Sequence, residues 1–153
     1  GSTTYGSYTW FEASELASAF QKRLPTQREL MAAAYGTTEA TASGGSDVPT
    51  TGVSGTGATS AWNVFTSKWG IIQSTGCMWI WGDDRGGPYA GASWNANTEG
   101  RGSEHNAPNA GLLSGNWDGA AYCGSRCSLW NNAASSSGNY IGSRFACDHL
   151  QLD

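Results

Sequence analysis

Basic charge is scarce in this chain. Lys and Arg number 8 of 153 residues against 12 Asp and Glu, and all four types together make up only 13%. A nucleic-acid binder neutralises phosphates with Lys and Arg, so a net charge of −4 excludes that class. No apolar run approaches the length a bilayer requires, so no membrane insertion is expected. Lys/Glu heptads are missing, which excludes a coiled coil. No G-x-S-x-G marks a serine nucleophile. The start carries no secretory signal pattern. Gly1-Ser2 reads as a cloning scar, and the chain reads as the C-terminal fragment of a longer protein.

What is present in excess is glycine, 22 residues, about twice the usual share, and tryptophan, 8 residues. With 39% hydrophobic residues the chain is not disordered. Its length suits one domain over 1–153, able to bury about two thirds of its unfolded surface. With so little charge, a partner is met through hydrogen bonds and aromatic faces.

Thr9-Trp10-Phe11-Glu12 and Thr26-Gln27-Arg28-Glu29 each fit the capping box T-x-x-E, in which the hydroxyl and carboxylate satisfy orphan N–H groups. Behind the first runs a helical stripe of Trp10, Ala13, Leu16/Ala17 and Phe20, ending at Lys22-Arg23. Behind the second come Leu30, Met31, Ala33 and Ala34, with Gly36 as a stop. From Thr37 the chain turns to Thr, Ser, Gly and Ala with Pro49, which predicts a long polar loop over 39–60. Lys68–Gln73 and Cys77–Trp81 read as a strand pair around Ser74-Thr75-Gly76. Gly82–Ala110 reads as loop-dominated, and further strands are expected near Gly111–Trp117, Ser125–Trp130 and Ile141–Leu150. Two N-terminal helices followed by short antiparallel strands and long loops make the fold class α+β.

Candidate chemistry is thin. Cys123 and Cys127 have C-x₃-C spacing, outside the C-x₂-C redox motif, and a zinc site would need two more ligands, with Cys147 and His149 available on paper. Cys147-Asp148-His149 contains a nucleophile, a carboxylate and a base, but neighbours on a strand point to opposite faces and cannot form a triad. His105 follows Glu104 in a polar loop and reads as solvated, and Asp83-Asp84 supplies too few carboxylates for calcium. No metal, cofactor or catalytic residue is predicted. The final third instead collects Asn116, Tyr122, Asn131, Asn132, Ser135, Ser136, Ser137, Asn139 and Tyr140. Adaptable hydrogen-bonders beside rigid aromatics are the composition of antibody-type binding loops.

The frame around those residues is specific. Gly115, Trp117, Gly119, Gly124-Ser125-Arg126, Trp130, Gly142, Arg144 and Cys147-Asp148-His149-Leu150 resemble the variable region of proteins diversified by diversity-generating retroelements. The spacing fits without a gap over about 35 residues, with Ser114-Gly115 where the family has Gly-Gly. Upstream, Arg23-Leu24-Pro25-Thr26-x-x-Glu29-Leu30, Ala33-Ala34-Tyr35-Gly36-x-Thr38-Glu39, Lys68–Gly76 and Trp79–Asp83 are similar to the same proteins. The R-L-P-T-x-x-E element is shared with formylglycine-generating enzymes.

The resemblance implies a C-type lectin-like fold of the formylglycine-generating-enzyme type, with a variable region at about 112–153. In such proteins a reverse transcriptase mutates template adenines, so AAC and AAT codons vary. Asn is the unmutated state, and Tyr, Asp, Ser, Gly, Cys, Phe, Leu, Ile and Ala are reachable from it. Carried over by register, the varying and hence ligand-binding positions are Asn116, Asp118, Ala120, Tyr122, Leu129, Asn131, Asn132, Ser136, Gly138, Tyr140, Ile141 and Phe145. Trp117, Gly124, Arg126, Trp130, Gly142 and Arg144 are the structural frame. Such a surface tolerates substitution only if its side chains are exposed and other residues hold the backbone.

The implied function is binding of a protein or glycan receptor on a cell surface. The bearer would be a phage tail fibre, where such a domain sets host tropism, or a displayed cell-surface variable protein. A homotrimer is the assembly that would add avidity. Location would be the virion or the extracellular surface. The alternative is a cysteine-oxidising enzyme of the formylglycine-generating type, for which neither Cys123 nor Cys127 superposes on the active pair. A calcium-dependent sugar-binding lectin would need an E-P-N type motif, which is missing.

Overall fold

In a computed structural model the described residues are 8–42, 65–86, 94–96, 103–105 and 109–148. Both capping boxes form. In helix α1 (Trp10–Ala19) the Thr9 N–H donates to Glu12 Oε2 at 2.8 Å while the Glu12 N–H donates to Thr9 Oγ1 at 3.2 Å. In α2 (Gln27–Ala33) the same reciprocal pair joins Thr26 and Glu29, at 2.9 and 3.2 Å. The apolar stripe is only half right: Ala13 and Ala17 are buried, whereas Leu16 and Phe20 face solvent. Trp10 of the stripe packs against the core as expected, joined by Phe11, which lies off the stripe, the two rings edge-to-face at 5.6 Å. Lys22-Arg23 lies beyond the end of α1, and no basic residue occupies its last turn.

Four strands make the main sheet: β1 (Trp79–Arg85), β4 (Ala110–Leu113), β5 (Ser128–Asn132) and β6 (Ile141–Gly142), in the order β5-β4-β1-β6. Two short strands, β2 (Trp94–Ala96) and β3 (Ser103–His105), form a separate antiparallel ribbon inside the stretch expected to be loop. The architecture is the expected α+β arrangement, two N-terminal helices plus short strands of a C-type lectin-like fold. One pairing departs from the antiparallel expectation: β6 lies parallel to β1, Trp79 beside Ile141 and Ile80 beside Gly142. The expected C-terminal strand is thus two residues long, with a lone antiparallel bridge between Arg23 and Ala146.

The strand expected over Lys68–Gln73 does not form. Gly70 and Gln73 both take positive φ (+78° and +52°), and Ser67 Oγ accepts the N–H groups of Trp69 and Ile71, so the segment turns. Trp81, Leu24, Leu112, Ala110, Ala13, Ala134 and Ile141 form the main core. β4, buried at all four residues, lies between β1 and β5. The polar loop expected over 39–60 lies, beyond Ala42, outside the described residues.

Candidate binding surface

Below the surface, three frame residues hold backbone. Trp117 is 7% exposed, its ring edge-on to Tyr140 at 6.4 Å, and its N–H donates to the Cys77 carbonyl at 3.1 Å. Trp130 lies over Gly111, where a Cβ would stand 2.8 Å from its ring, and its indole N–H donates to Ser128 Oγ at 3.0 Å. The Arg144 guanidinium donates to the carbonyls of Ile72 and Gln73, the two residues closing the Lys68–Gln73 turn. Burial lowers the Arg144 pKa, the electrostatic cost of seating a charge among backbone carbonyls. Gly124 and Gly142 are buried, and a Cβ at Gly124 would stand 2.3 Å from Glu39 Oε2. Arg126 differs: its side chain is exposed rather than satisfying buried carbonyls.

The positions expected to vary span a range of depths. Asp118, Ala120, Tyr122, Asn131, Tyr140 and Phe145 are exposed, Tyr122 at 84%. Asn116, Leu129, Asn132, Ser136 and Gly138 are half-buried, with Leu129 against the main core. Ile141 departs from the group at 1% exposure inside β6, where a side chain fills core volume rather than meeting a ligand. Ala120–Tyr122 form one short 3₁₀ turn, so Tyr122 projects from a tight corner.

None of the four cysteines is in a disulfide, and they differ in depth: Cys77 and Cys123 are buried, Cys127 is half-buried and Cys147 is exposed. Cys123 is buried under the Asn116–Gly119 turn, its Sγ donating to the Asn116 carbonyl at 3.1 Å. Burial pushes its thiol up to about 11, and burial also raises Cys127. A cysteine that attacks or ligates does so as a thiolate, and this environment opposes the thiolate. Among the described residues no three His, Cys, Asp or Glu side chains gather as a metal site. His149 lies outside the described residues, and of His105 only the backbone, in β3, is described. Asp84 accepts the Gln27 N–H at 2.7 Å, serving the start of α2.

Sequence reasoning gave no role to residues 39–42. The Ala40 N–H donates to the Cys123 carbonyl at 2.9 Å, and Glu39 Oε2 accepts the Ser125 N–H at 2.8 Å. The first upstream stretch of the resemblance closes on Glu39, so the residue is visible in the sequence while its contact, 86 positions away, is not.

The chain is 51% identical over 153 residues to the tail fiber receptor-binding protein of Bordetella phage BPP-1, matching all of this chain and 40% of that protein. Among solved structures, the P3c variant of the major tropism determinant superposes with a TM-score of 0.87 at 52% identity, over 99% of this chain and 40% of its own. The chain is a homologue of the major tropism determinants. The M1 variant aligns with a TM-score of 0.87 at 51% identity over 95% of this chain, and the U1 variant with 0.86 at 53% over 94%, each over 38% of the tropism determinant's length. This homologue thus spans about two fifths of the relatives it matches. No family model matches it.

Proposed function

We propose that this tropism-determinant homologue is a receptor-binding domain over 1–153, with a variable region at about 112–153 that displays a diversified surface on a phage tail fibre. The observation that carries the reading is the division by depth. Exposed Asp118, Ala120, Tyr122, Asn131 and Tyr140 alternate with buried Trp117, Cys123, Gly124 and Gly142. Such a division lets contact residues change while the backbone stays fixed. The half-buried members Asn116, Leu129, Asn132, Ser136 and Gly138 shape the rim, and Phe145 extends it. Ile141, though reachable from an Asn codon, acts through the core. The partner is a protein or glycan receptor on a bacterial surface, and the place of action is the virion. Assembly as a homotrimer multiplies weak single-site affinity, and light scattering on the intact protein reads its stoichiometry.

The test is adsorption of the purified chain to a panel of bacterial cells. Scrambling Tyr122, Asn131, Asn132 and Tyr140 together is expected to abolish adsorption while the melting transition stays cooperative. Adsorption that survives the scramble, or a chain that no longer folds, overturns the reading. Independently, the DNA following the coding sequence is expected to hold a near-copy of codons 112–153 with adenines at the varying codons, beside a reverse-transcriptase gene.

A further inference from the structure

The turn that carries Trp117–Ala121 shares an open cleft of about 410 Å³ with a stretch from far earlier in the chain. Ala40, Thr41 and Ala42 line it from one part of the sequence, and Trp117, Asp118, Ala120 and Ala121 from the other. The two parts are laced beside the cleft by the Ala40 N–H on the Cys123 carbonyl and the Ser125 N–H on Glu39 Oε2. Gly124 lies so close to that carboxylate that any larger residue would displace it. The Thr41 carbonyl is similarly packed, 2.6 Å from where a Cβ on Gly76 would stand. Ala40 is held at φ +52°, a conformation alanine adopts only when its surroundings impose it. Residues 39–42 are therefore a fixed wall, and they lie outside the stretch proposed to vary.

The chemistry of the lining is simple. Four alanine methyls and the Trp117 indole supply apolar surface, and Thr41 supplies one hydroxyl. Asp118 is the one charged side chain among the lining residues, and the chain as a whole carries −4. A cleft of this size suits a small group, and this lining suits a slim aliphatic body with a cationic tip. We propose that the cleft takes a single lysine or arginine side chain of a protein receptor. Asp118 pairs with its charge, and Ala40–Ala42 form a constant wall against its stem. The inference rests on the receptor-binding reading and deepens it: position 118 sets which tip is accepted, while the constant wall sets the width of what enters.

The experiment is amide and indole NMR of the full 153-residue chain titrated with Nα-acetyl-lysine methylamide, with Nα-acetyl-norleucine methylamide as the neutral counterpart. The lysine probe is expected to shift Ala40–Ala42, Trp117 and Asp118–Ala121, and the norleucine probe to leave them. Asp118→Asn is expected to weaken the lysine response by about fivefold, the range of an exposed ion pair. Thr41→Trp, or Ala120→Phe from the opposite wall should the first not fold, is expected to abolish it. Equal response to both probes, shifts centred on other carboxylates such as Asp148, or an undiminished response in Asp118→Asn each overturn the cleft. The two readings fail separately. Scramble-sensitive cell adsorption with no lysine response overturns the cleft alone. An Asp118-dependent lysine response with scramble-insensitive adsorption supports the cleft chemistry and overturns the receptor reading.

Discussion

Cys123 illustrates how much a single residue's setting decides. In sequence it is half of a C-x₃-C pair, yet its Sγ sits 2.5 Å from where a Cβ would stand on both Gly115 and Gly119. Three residues thus share one small space beneath the exposed turn. Gly115 has φ +82° as well, so Gly115→Ala suffers both backbone strain and a clash. Denaturant unfolding should record a loss of about 2 kcal/mol or more. The thiol, pushed up to about 11 by burial, stays protonated at neutral pH. Alkylation of the native chain at pH 7 should therefore modify exposed Cys147 well before Cys123, and all four cysteines once the chain is unfolded. Ser114 answers the departure from Gly-Gly in the frame: it takes φ +75° and donates its hydroxyl to the Met78 carbonyl at 3.1 Å. Arg126 and Arg144 read alike in the frame, but one is exposed and the other supports two carbonyls. Register along a sequence gives spacing, whereas depth depends on what packs from elsewhere.

Elements whose signals are local were legible. The T-x-x-E boxes set both helix starts because every participating group lies within four residues. Strands were legible as apolar runs, but their partners were not. Ile71 and Ile72 resemble a strand until the left-handed Gly70 and Gln73 turn them away, and β6 owes its existence to β1, not to its own two residues. Glu29 joins the local and distant levels. Its carboxylate caps α2 and also accepts two hydrogen bonds from Arg23, at 2.6 and 2.7 Å, while Arg23 pairs with Asp148 at 2.7 Å. The bond from Arg23, helped by the Thr26 N–H, holds Glu29 down at about 2, below its ordinary 4.5. A depressed folded-state value means the contribution is complete above about pH 5 and is lost as pH falls through 2. Glu29→Gln should cost about 1 kcal/mol at neutral pH, since the pair is partly exposed. The gap in melting temperature between the two proteins should narrow toward pH 2, and a gap independent of pH would show that the charge contributes nothing.

At the scale of the whole molecule, the chain is sewn together by contacts distant in sequence. Trp81 donates its indole N–H to the Tyr8 carbonyl at 2.8 Å, Trp10 donates its own to Gly82 at 2.9 Å, and the Trp10 N–H donates to Ala134 at 2.9 Å. Trp10 and Trp81 thus tie distant parts of the chain, and no periodicity in the sequence announces it. Asp118, Tyr122 and Asn131 are exposed and take no part in these bonds, so a triple change there should move the melting temperature by no more than about 4 °C. Calorimetry of a small panel of such variants checks this.

The parallel seam between β1 and β6 also governs the order in which the protein can be made. The sheet gains β6 only after residue 142 has been synthesised, and the Arg23–Ala146 bridge needs a few residues more. Until then β1 presents a bare edge, open to the wrong partner. A chain cut before residue 141 would therefore keep both helices and β1 but lack the strand that closes this edge. In the proposed reading the variable region contains β6, so a variant that cannot seat those two residues leaves the β1 edge open.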